Sequence, residues 1–392
     1  MKKVCRVICL LLIAIVSTGC WDKVEINQKG FVSVMGIDSG DDIGKDKELK
    51  KLNPNEPYTG MDLKRIHVTF GLPDISKLGP EKGGIGEDNY IDSDAYSMQD
   101  AISKASNKTS REITFTHIKL LMIGSNLLTY PETFKEVIDY LQRQPALDRM
   151  MYVCVAQGKA EEFVKYKPTT EKSLENYMVG LIENSRRNNT FVIVTLNDFL
   201  KLLDQNGNSI SPSFEMDKDK KELKVSGSAI IKNYGLKGFL TNNQTSNIKI
   251  LRGEFKGGTK VVYKNGHPID FEVDNSRRKI IVKNTNNKLV FYINVNLEGE
   301  IKDSYMKNQL FSANNLSTLE DNFNRSIQKE CEQTVQITQD QFQVDPIGFR
   351  EYLEKYYPRL WSQVENDWDN AYKNAEVHVV IDSKIRRIGA VK

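Results

Sequence analysis

Hydrophobic and polar positions follow two rhythms along the chain, and the change between them suggests its organisation. In the first half, apolar runs of strand length alternate with helical periodicity. Residues 31–38 are mostly apolar and bounded by glycine and acids, which predicts a first strand, and the Asp-, Lys- and Pro-rich stretch 39–61 predicts a solvated loop. A strand is expected over 63–71, a second polar loop over 73–94 and a short helix over 96–107. From Ile113 the pattern becomes strand 117–124, helix 131–144 opened by Pro131, and strand 150–157. Proline suits a first helical turn because its missing N–H would have no partner there. This order predicts a strand-helix-strand unit with parallel neighbours. Helices follow over 160–166, 170–183 and 198–205, the last capped by Asn197.

Residues 205–221 are polar and turn-rich, so they are expected to be a linker. Beyond it, strand-like segments at 224–232, 237–241, 248–255, 259–264, 269–274, 277–284 and 288–297 are separated by short turns, the spacing of an antiparallel meander. Helices are expected over 317–337, near Pro346, and over 358–375, with a last strand from 376 through Ile385. Leu319, Phe323, Ile327, Cys331 and Val335 share one helix face, as do Trp361, Val364, Trp368 and Tyr372, and both stripes read as core. The fold class is therefore α+β and multidomain: an N-terminal mixed sheet and helix region over 20–204, of one or two subdomains, and a C-terminal antiparallel sheet packed with helices over 222–392.

The first residues depart from both rhythms. Lys2, Lys3 and Arg6 precede an apolar run from Val7 to Val16, and the small residues Ser17, Thr18 and Gly19 lead into Cys20. A run of about ten apolar residues fits a signal-peptide core and falls short of the roughly twenty that span a bilayer. Residues 1–19 thus read as a signal peptide and Cys20 as a lipid-attachment site, with Ser17 where a lipobox more often carries Leu.

Composition narrows the classes further. Hydrophobic residues are 39% and charged residues 27% of the 392, the balance of a soluble protein. Cleavage before Cys20 removes three basic residues from 55, leaving 52 of each sign. That balance argues against nucleic acid and against electrostatic adhesion to anionic lipid. Of five cysteines, only Cys154 and Cys331 remain beyond the leader and lipid site, which excludes a disulfide framework and leaves one bond open; Cys154 in an expected strand and Cys331 on a helix face read as small core residues.

Candidate chemistry is sparse. His67, His117, His267 and His378 are scattered, without a His or Cys three or four residues on, which argues against zinc; His117 and His378 fall in expected strands as structural histidines. The segment from Gly253 to Lys260 has P-loop-like glycine spacing, but Thr259 precedes Lys260 and strands flank it, so it reads as a hairpin. No nucleophile elbow appears, and no catalytic, cofactor or metal residue is singled out.

Gly19-Cys20-Trp21-Asp22-Lys23-Val24-Glu25-Ile26-Asn27, followed by Val34-Met35-Gly36-Ile37-Asp38, resembles the mature N-terminus of the Ger(x)C family, the C subunits of spore germinant receptors. Thr116-His117-Ile118-Lys119 with Ile123-Gly124, Gly227-Ser228-Ala229-Ile230-Ile231-Lys232 and Lys237-Gly238-Phe239-Leu240 extend the likeness. Asp345-Pro346-Ile347-Gly348-Phe349, Pro358 to Trp361, Trp368-Asp369, Ala375-Glu376-Val377 and Ile385 to Gly389 complete it, with Pro346-Ile347 a departure from the family pattern. The resemblance implies a non-enzymatic lipoprotein of several α+β domains, without cofactor, anchored by Cys20 on the outer face of the spore inner membrane. It implies partnership with an A subunit and a multi-spanning, transporter-like B subunit in a receptor for nutrient germinants. The residues alone leave open a solute-binding lipoprotein or a cell-wall hydrolase.

Overall fold

The computed structural model describes residues 28–45, 63–73, 88–217, 222–264, 266–286, 288–304 and 313–388, with a few isolated positions between them. Its larger sheet is organised around four parallel strands, β2 (Val34–Ser39), β6 (Leu120–Gly124), β7 (Tyr152–Ala156) and β8 (Ser209–Asp217). Antiparallel pairs extend it at both sides, β3 (Ile66–Pro73) and β4 (Asp88–Ala95) at one, β9 (Glu222–Lys232) and β10 (Gly235–Leu240) at the other. The resulting order is β10-β9-β8-β7-β6-β2-β3-β4, and β1 (Lys29–Phe31) pairs separately with β5 (Glu112–Thr114).

Helices cover both faces of this sheet. On one side lie α1 (Met98–Ser106), α2 (Pro131–Arg143) and α5 (Leu196–Asn206), burying Met98, Phe134 and Phe199 in the main core. On the other lie α3 (Ala160–Val164) and α4 (Leu174–Asn188), which bury Phe163 and Met178 against Leu120, Cys154 and Phe214. Pro131 opens α2 as expected. The cap of α5 is Thr195 rather than Asn197: its hydroxyl accepts the Asp198 N–H and the Asp198 carboxylate returns the contact, a capping box.

Two expected loops prove to be strands. Asp88–Ala95, at the end of the polar stretch 73–94 and one residue past it, is an edge strand whose acidic side chains meet polar partners on β3. The expected linker 205–221 contains β8, and residues 222–240, assigned from the sequence to the C-terminal region, continue the same sheet. Serine makes β8 look like a turn, but in place Ser211 Oγ donates to Val153 O at 2.9 Å and Ser213 Oγ donates to Ser226 O. Pro212 sits at a register shift, where a missing N–H is tolerated.

The smaller sheet comprises β11 (Thr259–Lys264), β12 (His267–Thr285), β13 (Lys288–Ser304) and β14 (Glu376–Ile388). It is antiparallel apart from its last pairing, β13 with β14, which is parallel. β12 is one strand where two were expected; the polar stretch around Asp274 is a bulge rather than a turn. The long helix α7 (Ala313–Ile337) packs Leu319, Phe323, Ile327, Cys331 and Val335 into the core, each at most 4% exposed. The expected strand 248–255 is mostly helix, α6 (Asn242–Arg252): a Thr241–Gln244 capping box starts it and Gly253, at φ +69°, ends it. The expected helix 358–375 divides into α9 (Pro358–Val364), a 3-10 turn and α10 (Trp368–Lys373), after α8 (Phe349–Tyr356). Trp361, Trp368 and Tyr372 still meet in series: Trp361 lies edge-on to Trp368 at 5.7 Å between ring centroids, and Trp368 stacks on Tyr372 at 6.0 Å. One contiguous core runs from the large sheet into the small one.

Candidate functional site

Cys20 lies outside the described residues, as do 21–27. Of the other motif positions, Val34 to Asp38 form most of β2. His117 is in an exposed turn, not the expected strand; its ring meets Phe31 edge-on at 4.8 Å and its Nδ1 is 2.9 Å from Thr116 Oγ1. His378 is on β14 as expected, but faces solvent and stacks on Tyr292.

Motifs far apart in sequence meet where the two sheets join. A π-helical turn, Thr338–Phe342, follows α7, and its Gln339 amide donates to the Tyr372 and Ala375 carbonyls. From β9, Lys232 Nζ reaches Gln343 O and Asp369 Oδ2, each at 2.9 Å. Asp345 Oδ1 accepts the N–H groups of Ile347 and Gly348 at 3.0 Å, and Oδ2 accepts that of Arg350 at 2.9 Å. This sets the turn into α8, for which Gly348 at φ +86° is the cap. Burial, with Glu351 nearby, holds the Asp345 carboxyl above the usual carboxylate range despite those donors.

Three guanidinium groups bind this turn to its surroundings. Arg252 Nε donates to Pro346 O at 2.8 Å, and Arg278 Nη1 donates to Leu251 O and Ile347 O, both at 3.1 Å. Arg350 Nη1 donates to Gln205 Oε1 at 3.0 Å while its guanidinium lies over the Trp361 ring. They surround a cavity of about 230 Å³, and a neighbouring hollow of about 320 Å³ is lined by Val192, Val194, Leu202 and Lys249. Lys249 is 8% exposed, and burial pushes its ammonium down to about 8, opposed by Glu254. Most donors here are spent on backbone carbonyls, so the arrangement acts chemically as a clamp between the sheets.

Comparison with known proteins divides the chain between β8 and β9, within the larger sheet. A family model described as spore germination protein N-terminal domain matches residues 22–216, and one described as spore germination B3/GerAC like, C-terminal, matches 226–389. The chain belongs to the Ger(x)C family. Among curated relatives of this Ger(x)C protein, spore germination protein B3 of Bacillus subtilis (strain 168) is 25% identical over 378 residues, covering 95% of each chain. Spore germination protein KC of the same organism is 25% identical over 421 residues, covering 99% of this chain and 96% of that one. The crystal structure of the GerBC protein shares the fold, with a TM-score of 0.60 at 22% identity over 83% of this chain and 95% of that chain.

Elsewhere in this Ger(x)C protein the sequence's chemical candidates resolve differently. Gly253 to Lys260 is a helix end leading into a strand, not a hairpin. Lys260 is buried and committed: Nζ meets Glu330 Oε2 at 2.7 Å and Asn247 Oδ1 at 2.8 Å, so it holds α6 to α7. Cys154 and Cys331 are free and fully buried, and burial raises both thiols, Cys331 to about 12 and Cys154 beyond it. Among the described residues, His67, Asp92 and Glu161 bring atoms of metal-ligand type within 4.8 Å of one another. Local spacing could not reveal it, because the three residues come from β3, β4 and α3.

Proposed function

We propose that this Ger(x)C protein is the lipid-anchored C subunit of a spore nutrient-germinant receptor. Cys20 carries the lipid and holds the folded regions at the outer face of the spore inner membrane. There the protein joins the receptor's A and B membrane subunits and serves assembly or signalling, without catalysis of its own. The observation that carries this reading is the pair of family matches, together spanning 22–216 and 226–389. Relatives named as spore germination proteins over nearly their whole length support it. A single acyl chain gives marginal, reversible binding, so a multiply acylated Cys20 plus contacts to membrane subunits is the adequate anchor.

The test is affinity recovery of the tagged protein from detergent-solubilised dormant-spore membranes, with partners identified by mass spectrometry, beside a Cys20→Ala strain. The expected result is co-recovery of a multi-spanning subunit and a second membrane subunit, reduced by the substitution. Recovery without partners, from vegetative membranes and not from spores, overturns the reading.

A further inference from the structure

Away from the clamp, the edge of the large sheet carries a second organised cluster. Across β2, β3 and β4, Asp38 pairs with His67 and His67 with Asp94; in the next row Gly36 pairs with Thr69 and Thr69 with Asp92. Strand residues two apart share a face, so these polar side chains project together toward α3. Gly36 admits that helix, since a Cβ there would lie 2.8 Å from Val164 Cγ2, and Gly124 admits the Asp38 carboxylate, since a Cβ there would lie 1.9 Å from Asp38 Oδ1. Asp38 then accepts the N–H of Ala160 at 2.7 Å and of Glu161 at 2.9 Å, which fixes Glu161 beside β3.

His67 Nδ1 is 2.7 Å from Asp94 Oδ1, so this carboxylate orients the ring. Nε2 faces Thr69 Oγ1 at 3.5 Å, Glu161 Oε2 at 3.6 Å and Asp92 Oδ1 at 3.8 Å, the two carboxylates standing where a cation on Nε2 would meet them. Ligand atoms of the three residues all lie within 4.8 Å of one another. Bonds of about 2.0–2.2 Å in a tetrahedral site separate neighbouring ligands by roughly 3.3–3.6 Å; the two contacts to Nε2 already stand close to that, and rotation of the two carboxylates, by up to about 1 Å, closes the rest. A histidine whose other nitrogen donates to a carboxylate is also how proteins orient metal-bound imidazoles.

Lys165 does not fill the gap. Its Nζ binds the opposite oxygens, Asp92 Oδ2 at 2.7 Å and Glu161 Oε1 at 2.6 Å, and so turns the inner oxygens toward His67. Thr69 Oγ1 donates to Asp92 Oδ1 at 3.0 Å and steers it further. With side-chain exposures of 21% for His67 and 31% for Glu161, the cluster is open to ions from solvent yet pinned from below by the sheet.

We propose that His67, Asp92 and Glu161 form a binding site for a divalent transition metal, best suited to zinc, that staples the β3–β4 edge to α3. One imidazole and two carboxylates suit borderline cations, and water completes the fourth position. Asp94, Lys165 and Thr69 are positioning residues.

The test uses full-length protein in detergent, stripped with chelator and titrated with Zn²⁺ against a chromophoric competitor, with Co²⁺ as spectroscopic probe. One zinc per chain is expected, with visible Co²⁺ absorption bands of a four-coordinate site. His67→Gln removes both signals, Asp94→Asn weakens binding about 10–100-fold, and His378→Gln changes neither. Circular dichroism confirms that each variant is folded. Absence of stoichiometric zinc in the unmodified chain, or undiminished affinity in folded Asp94→Asn, overturns the site and leaves His67 as one member of an ion-pair cluster.

Discussion

The two sheets bury their residues in opposite ways. In the large one, β6 is buried at every position and β2 and β7 at nearly every one, because helices lie on both faces of its parallel centre. In the small one, β11 and β14 alternate buried and exposed positions, with α7 and the core on one face and solvent on the other. That open face still carries Tyr263 at 73%, Val380 at 51% and Val261 at 42% exposure. The difference teaches that the large sheet is a finished interior, whereas the small sheet keeps one surface free and is tied to its neighbour through the clamp.

The strongest way to break this contrast is to attack the tie. Phe349 is fully buried, stacks on Phe291 with centroids 4.2 Å apart, and stands directly after the Asp345–Gly348 turn. Phe349→Ala is expected to cost about 3–5 kcal/mol and, because the core is continuous, to move a single cooperative unfolding transition. Calorimetry showing two transitions, only one of them shifted, would mean that the sheets unfold independently.

Lys249 sharpens the same point from the other side. Its pKa falls from the usual lysine value near 10.4 in the unfolded chain to about 8 on folding. Between these values the unfolded state binds the extra proton, so stability rises as pH increases from about 8 to 10.4 and the burial penalty is fully present below 8. Lys249→Met is expected to stabilise the protein at pH 7 by about 1–2 kcal/mol and to remove that rise, as urea midpoints across the range would show. A loss of stability at pH 7 would mean that the ammonium is needed and the hollow is wet.

The contrast also explains what could be read from the sequence. The strands over 259–264 and from 376, the five-residue stripe on α7 and the β6-α2-β7 unit follow from local sequence and agree with the structure. The misreadings arise where a tertiary partner overrides local character. Asp92 and Asp94 look like loop residues until Thr69 and His67 answer them, and Ser211 and Ser213 until Val153 and Ser226 accept their hydroxyls. The apolar run at 248–251 imitates a strand, although Thr241, Gln244 and Gly253 gave a legible start and stop for a helix. Nothing local announces the clamp: Lys232 and Asp369, or Arg350 and Gln205, meet only after both sheets are assembled.

The smallest expected effect bears on the open face. Tyr263→Ser removes a large aromatic that is mostly in water, from a strand whose buried side is untouched. Such a surface change alters stability by no more than about 0.5 kcal/mol, to be read from the thermal midpoint at several protein concentrations. If the midpoint instead fell by several degrees and did so more at high concentration, the tyrosine would be covered by a second copy in solution. The small sheet would then be closed on both faces like the large one, and the difference between the two regions would lie in how each interior is completed, by its own helices in one case and by association in the other.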